Sequence, residues 1–324
     1  MLDRSSKLAI LLVLVACHHA PAPDAGETRA EAVAAKVVGK PAPALTVTTV
    51  DGQTIDLVTL YGQKPVYLKF WATWCIPCNE QMPRFEHLYE TLGDRVAVIA
   101  VDAGLDDDPS AVRAFRDSHG MKMPVVVDDG RLADALALEV TPQHVIIGRD
   151  GRVAFVGHQD GDKLEAALER ALAEKPGEVV RQAVALRPTI HAGENAALLL
   201  GPSSHRRAIV MFATWCEDYL KERQPKSAQT CERVRGEVDA LRAAHPDIEF
   251  SGVASGVWTS PEDIAPYREQ TRTTLPITLD RDGALFRAFD VHALGTVVLV
   301  DADGVVKRIV RPSDDLRAAV AAFL

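Results

Sequence analysis

Apolar and polar positions change period several times along the chain, and each change predicts an element. Leu45-Thr46-Val47-Thr48-Thr49-Val50 alternates and is rich in β-branched residues, which predicts a half-buried strand. Asp51-Gly52 supplies the hairpin turn, with a return strand over 53–57. Pro65 to Phe70 predicts a further strand. From Asn79 to Leu92 the period becomes helical, with Met82, Phe85, Leu88, Tyr89 and Leu92 on one face and a kink expected at Pro83. Arg95 to Asp102 is apolar almost throughout, the pattern of a central strand buried on both faces. Asp108-Pro109-Ser110 opens a helix to about Ser118, with Asp108 as N-cap and Pro109 at the first helical position. A short strand at 123–128, a helix near 132–138, a strand at 144–147 and a strand from Arg152 to Gly157 follow, the last two joined by Asp150-Gly151. Asp162 to Ala173 predicts a covering helix. The order is that of an α/β fold.

The ends of this pattern carry different signals. Arg4 and Lys7 precede the apolar run Leu8 to Ala16, which is too short to span a bilayer at about 20 residues per crossing and reads as an export signal. Leu14-Val15-Ala16-Cys17 resembles a bacterial lipobox, so residues 1–16 are expected to be a signal peptide and Cys17 a lipidated N-terminus that anchors the chain to a membrane. Residues 17–36 hold Ala, Pro, Asp and Glu with few bulky hydrophobes, which predicts a flexible tether. Lys175-Pro176-Gly177 marks a boundary, and Val179 to Leu186 suggests a short helix after it.

Residues 178–324 repeat the first half. Phe212-Ala213-Thr214-Trp215-Cys216 matches Trp71-Ala72-Thr73-Trp74-Cys75 within its last four residues, and Leu275-Pro276-Ile277-Thr278-Leu279-Asp280 matches Met123 to Asp128 after an insertion. Asp303-Gly304 matches Asp150-Gly151. Two domains, 37–175 and 178–324, therefore fill the 324 residues, in keeping with the length. A net charge of −9 with no long Lys/Arg run argues against nucleic acid as a partner.

The chemistry concentrates at Cys75-Ile76-Pro77-Cys78, where the strand feeds the helix. A cysteine at a helix N-terminus meets unpaired backbone N–H groups and the positive end of the macrodipole, which favour the thiolate. A thiolate attacks disulfides, so the pair reads as a dithiol exchanger. Zinc would require two more ligands at suitable spacing, and neither a second CxxC nor an HxxxH occurs. No metal and no cofactor is therefore expected.

Phe70-Trp71-Ala72-Thr73-Trp74-Cys75-Ile76-Pro77-Cys78 resembles the active-site signature of the TlpA/ResA-like branch of the thioredoxin superfamily. Gly39-Lys40-Pro41-Ala42-Pro43, Asp51-Gly52, Met123-Pro124 and Thr141-Pro142 extend the likeness over roughly residues 37–172. The resemblance implies two tandem thioredoxin-like folds, each a central mixed β-sheet flanked by helices, the second one degenerate. It implies an exported, membrane-tethered thiol–disulfide oxidoreductase on the periplasmic side. Cys75 would be the solvent-reachable attacking sulfur and Cys78 the more buried resolving one. Pro142 would be a cis-proline facing them and Trp74 part of the docking surface. Clients would be disulfide-containing proteins, apocytochrome c among them by analogy, with electrons from a membrane dithiol donor. Copper delivery by the CxxC with His144 stands as the alternative.

Two positions depart from the family. Lys69 stands where thioredoxins carry a buried acid; it either lends positive charge to a thiolate or extends its amine to solvent. Gln81 stands where relatives have Glu. The second half lacks the chemistry, because Tyr219 replaces Cys78 and Leu294-Gly295 replaces Thr141-Pro142. Cys216 and Cys231 would stand about 22 Å apart on one straight helix. Gln224-Pro225-Lys226-Ser227 can break that helix, leaving a structural disulfide, an unusual redox pair or two free thiols.

Overall fold

The computed structural model describes residues 24–175, 177–184, 189–222 and 224–324. The export signal and Cys17 lie outside the described residues. Among those residues no helix is long and apolar enough to cross a membrane.

Two five-stranded mixed sheets dominate the fold, and they share one strand order. In the first the order is Val125–Val127, Ala97–Asp102, Val66–Trp71, Gln143–Ile147, Val153–Gly157. In the second it is Ile277–Asp280, Ile248–Ser255, Arg206–Phe212, Thr296–Val300, Val306–Val310. In each sheet the first three strands run parallel to one another, and the fourth pairs antiparallel with both of its neighbours. The central strand Val66–Trp71 is buried at every residue, so both faces must be covered. Val66, Leu68 and Phe70 face one apolar cluster with Ile99, Val101, Val145 and Ile147. Tyr67 and Trp71 face another with Met82 and Phe85 of the helix Ile76–Leu92. That second cluster does not stop at the domain: it continues through Trp74 and Cys75 into Cys216, Leu220, Phe286 and Leu294.

Most local expectations match the elements found. Strands Thr46–Thr48 and Thr54–Asp56 form the hairpin around Asp51-Gly52. Asp108 caps Pro109–Ser118 by accepting from the Ser110 and Ala111 amides. The covering helix is Asp162–Ala173. The helix Ile76–Leu92 continues through Pro83.

Two expectations are corrected. Most of the stretch read as a tether, 17–36, is a helix, Ala25–Val37, capped by Asp24. Ala30, Val33 and Val37 recur at helical spacing and are buried, while Glu31 and Lys36 are exposed. Small alanines and two valines suffice because the helix packs closely on Val153–Gly157. The helix suggested over 179–186 is also absent from its described part. The Val180 amide donates to the Asp150 carbonyl, and Gln182–Ala183 pairs in parallel with Pro43–Ala44. Residues 185–188 lie outside the described residues. Val179 packs into the first domain's core, so the connector belongs physically to that domain.

Candidate active site

The strand Val66–Trp71 delivers the chain into a tight turn, closed by the Cys75 amide donating to the Ala72 carbonyl at 3.1 Å. Cys75 is the N-cap of the helix that follows, with extended backbone and its sulfur accepting from the Cys78 amide at 3.2 Å. Pro77 sits in the first helical turn, where its missing N–H costs nothing. A disulfide joins Cys75 and Cys78 with their Cα atoms 5.2 Å apart. Thr141-Pro142 is a cis peptide. Gln143 pairs with Phe70 across the sheet, so Pro142 lies beside Trp71, at the entry to the cysteine turn.

Lys69 does not reach solvent. Its side chain is fully buried, on the helix-facing side of the strand, over the Phe85 ring at 5.2 Å. Its Nζ donates to the Cys78 carbonyl at 3.4 Å. Burial pushes its pKa down to about 7, with partial opposition from the negative charge of Asp160. The snorkelling reading fails because the cover above Lys69 is the active-site helix itself.

A buried polar chain runs beside Lys69. The Gln81 Nε2 donates to the His158 carbonyl, so its Oε1 accepts from His144 Nε2 at 3.0 Å. His144 Nδ1 then accepts from the Tyr67 hydroxyl at 2.7 Å. This assignment requires a neutral His144, and burial, followed by the nearby Lys69 charge, holds its pKa well below the usual histidine value. His158 Nδ1 ends the chain on the Pro142 carbonyl at 2.7 Å. Gln81 thus both donates and accepts within this chain. Both His144 ring nitrogens are committed, which leaves no lone pair for copper.

Sequence reasoning missed the acids behind the turn. Asp107 accepts from the Thr73 amide at 2.8 Å and from the Thr73 hydroxyl, bracing the residue two before Cys75. Asp102 is fully buried and accepts from the Gly104 amide at 2.9 Å. Burial first, and then each other's proximity in the case of Asp102, raise this pair above the ordinary carboxylate range. The acidic run Asp106-Asp107-Asp108 was a visible signal, but only Asp108 had a local role that spacing could assign.

The largest correction concerns access. Cys75 is 1% exposed, Cys78 is fully buried and Trp74 is 2% exposed. The second domain covers them. Trp215 packs against Trp74 with ring centres 4.5 Å apart and planes tilted by 35°, and Tyr219 meets the same indole edge-on. The Ile76 amide, first in the active-site helix, donates to the Tyr219 hydroxyl at 3.1 Å. Gln224 Nε2 donates to the Thr73 hydroxyl at 3.3 Å. Trp258 Nε1 donates to the Thr141 hydroxyl at 3.2 Å, next to the cis bond.

In the second domain a disulfide joins Cys216 and Cys231. The short helix Cys216–Tyr219 ends, and Pro225 starts a new one, Pro225–Ala244, that folds back. The Cα separation falls to 6.3 Å, far below the straight-helix distance.

Residues 38–156 match the AhpC/TSA family. Thiol-disulfide oxidoreductase ResA of Bacillus thuringiensis (strain Al Hakam) is 36% identical over 137 residues, 41% of this chain and 78% of that protein. ResA of Bacillus subtilis (strain 168) is 34% identical over 120 residues, 36% of this chain and 65% of that protein. A solved thiol:disulfide interchange protein of the thioredoxin family from Chlorobium tepidum TLS is 26% identical, with a TM-score of 0.36, covering 41% of this chain and 96% of that one.

Proposed function

The chain belongs to the ResA thiol–disulfide oxidoreductases of the thioredoxin superfamily, and from that premise we propose that it reduces disulfides in exported client proteins through Cys75 and Cys78. The observation that carries this reading is a CxxC whose first sulfur caps a helix, with a cis Thr141-Pro142 on the neighbouring strand. The helix N-terminus favours negative charge at Cys75. The Cys75 thiolate attacks one sulfur of the client disulfide. That bond breaks, a Cys75–client disulfide forms, and the other client sulfur leaves as a thiolate. Cys78 then attacks the Cys75 sulfur and expels the second client sulfur. Two electrons have passed to the client, and the Cys75–Cys78 disulfide remains for a membrane dithiol donor to reduce.

The finer parts of the reading rest on the sequence. The apolar start and Cys17 support export and lipid anchoring on the periplasmic side. The repeated WC motif and the repeated strand order support residues 178–324 as a degenerate thioredoxin-like copy. Cytochrome c maturation rests on family analogy alone. Trapping tests the central claim. Cys78→Ser is expected to accumulate a mixed disulfide with client, and Cys75→Ser is not. Equal trapping by both would overturn the assignment of roles.

A further inference from the structure

The cover over the CxxC is built from paired contacts that repeat across the two domains. Trp258 donates its amide to the Glu139 carbonyl at 3.0 Å, and Asp106 donates its amide to the His292 carbonyl at 2.5 Å. Both donors have left-handed backbones, with φ of 58° each. Trp258 Nε1 bonds Thr141, and Asp106 Oδ1 accepts from Leu294, the residue that replaces Thr141 in the second half. Trp74 donates its indole N–H to the Leu105 carbonyl and Trp215 to the Val257 carbonyl, and the two rings pack against each other. Arg287 Nη2 pairs with Asp134 at 3.2 Å, and these residues also occupy matching places, each the fourth residue of its short helix. The interface is therefore nearly self-complementary, as in a two-fold dimer.

The symmetry breaks at the cysteines. On one side are Cys78 and the cis-proline; on the other, Tyr219 and Leu294-Gly295. Trp258 is also a bulky residue held in a backbone region that disfavours one, an arrangement that persists only where surrounding contacts enforce it. Its indole and the Tyr219 hydroxyl take the hydrogen-bonding groups that flank Cys75, the Thr141 hydroxyl and the Ile76 amide.

Building on the oxidoreductase reading, we propose that the second domain is a built-in occupant of the client surface, with Trp258 and Tyr219 as specificity-determining residues. A client reaches Cys75 only by displacing them. The clients that succeed supply an aromatic N–H or O–H donor for Thr141 and an acceptor for the Ile76 amide. In the closed chain the reaction rate is the intrinsic rate multiplied by the open fraction.

Thiol access tests this without relying on turnover. The full chain is reduced chemically, and alkylation of Cys75 by iodoacetamide is followed by peptide mass spectrometry. Trp258→Ala and Arg287→Asp are each expected to speed Cys75 alkylation roughly tenfold or more by raising the open fraction. Arg287 is remote from the cysteines in sequence and touches none of the groups bonded to them. The double variant Asp134→Arg with Arg287→Asp restores the opposite charges and is expected to return alkylation to the slow rate. Circular dichroism confirms that each variant is folded. The proposal is overturned if Cys75 in the unaltered chain alkylates as fast as an exposed thiol. It is equally overturned if both single variants leave the rate unchanged, or if the folded charge swap stays fast. Gated alkylation without client trapping would sink the oxidoreductase reading and leave the gate standing.

Discussion

The ammonium nitrogen of Lys69 lies 3.4 Å from the carbonyl oxygen of Cys78, beneath the active-site helix and out of reach of solvent. A charge in this place is costly to the fold and useful to a departing Cys78 thiolate. The balance depends on pH, because burial brings the lysine to about 7.

That value has a definite sign. The unfolded lysine titrates near 10.4, so between about 7 and 10.4 the unfolded chain binds more protons and stability rises with pH. Below about 7 the buried charge exerts its full cost, on the order of 5 kcal/mol. Lys69→Met is therefore expected to raise the urea midpoint at pH 6 and to flatten its rise toward pH 9. A midpoint with the same pH slope in both proteins would refute this. The same variant should also change the pH dependence of Cys75–Cys78 reduction, which a redox titration reads.

Asp102 makes the opposite prediction. Its folded pKa is raised, chiefly by burial, so this group's contribution to stability falls as pH rises above the ordinary carboxylate range and is regained on acidification. Asp102→Asn keeps an acceptor for Gly104 and gains a donor for Asp107. It is expected to stabilise the protein by roughly 1–3 kcal/mol at pH 7. The gain should shrink as the pH falls into the acid range. Chemical denaturation at a series of pH values checks both statements, and a destabilised variant at pH 7 would count against them.

Gln81 links His144 to the His158 carbonyl, and nothing apolar can replace both bonds. Gln81→Leu leaves a buried donor and a buried acceptor unmet, at about 1–3 kcal/mol. Lower thermal stability is expected, together with a histidine ring whose tautomer is no longer held. Nitrogen-15 chemical shifts of His144 report that change directly.

The second disulfide closes a loop with a sequence separation of 15. Removing a cross-link of that span costs about 3 kcal/mol in the chain-entropy account. Cys216→Ser with Cys231→Ser should lower stability by that order while leaving client trapping by Cys78→Ser intact. Loss of trapping in a folded variant would instead make this pair part of the electron path.

Some of this protein was written locally. The strand, the turn and the capped helix around Cys75 need only neighbouring residues, and so do the Asp108 cap and the Asp162–Ala173 helix. The cis Thr141-Pro142 bond was expected from the family resemblance, since X–Pro chemistry makes the cis form accessible but does not select it. Phe212 to Cys216 likewise spells its strand-to-turn passage in five adjacent letters.

Only the folded chain decided which of these groups meet water. The helix Ala25–Val37 looked like a tether because its alanines gain little until a strand more than a hundred residues away covers them. Lys69 looked able to snorkel because nothing adjacent in sequence closes over it. Cys75 looked exposed because Trp215, Tyr219 and Trp258 lie far along the chain. Periodicity and turn chemistry are properties of adjacent residues, so sequence carries them. Burial is a property of what packs on top, and at this site the packing comes from the other half of the molecule.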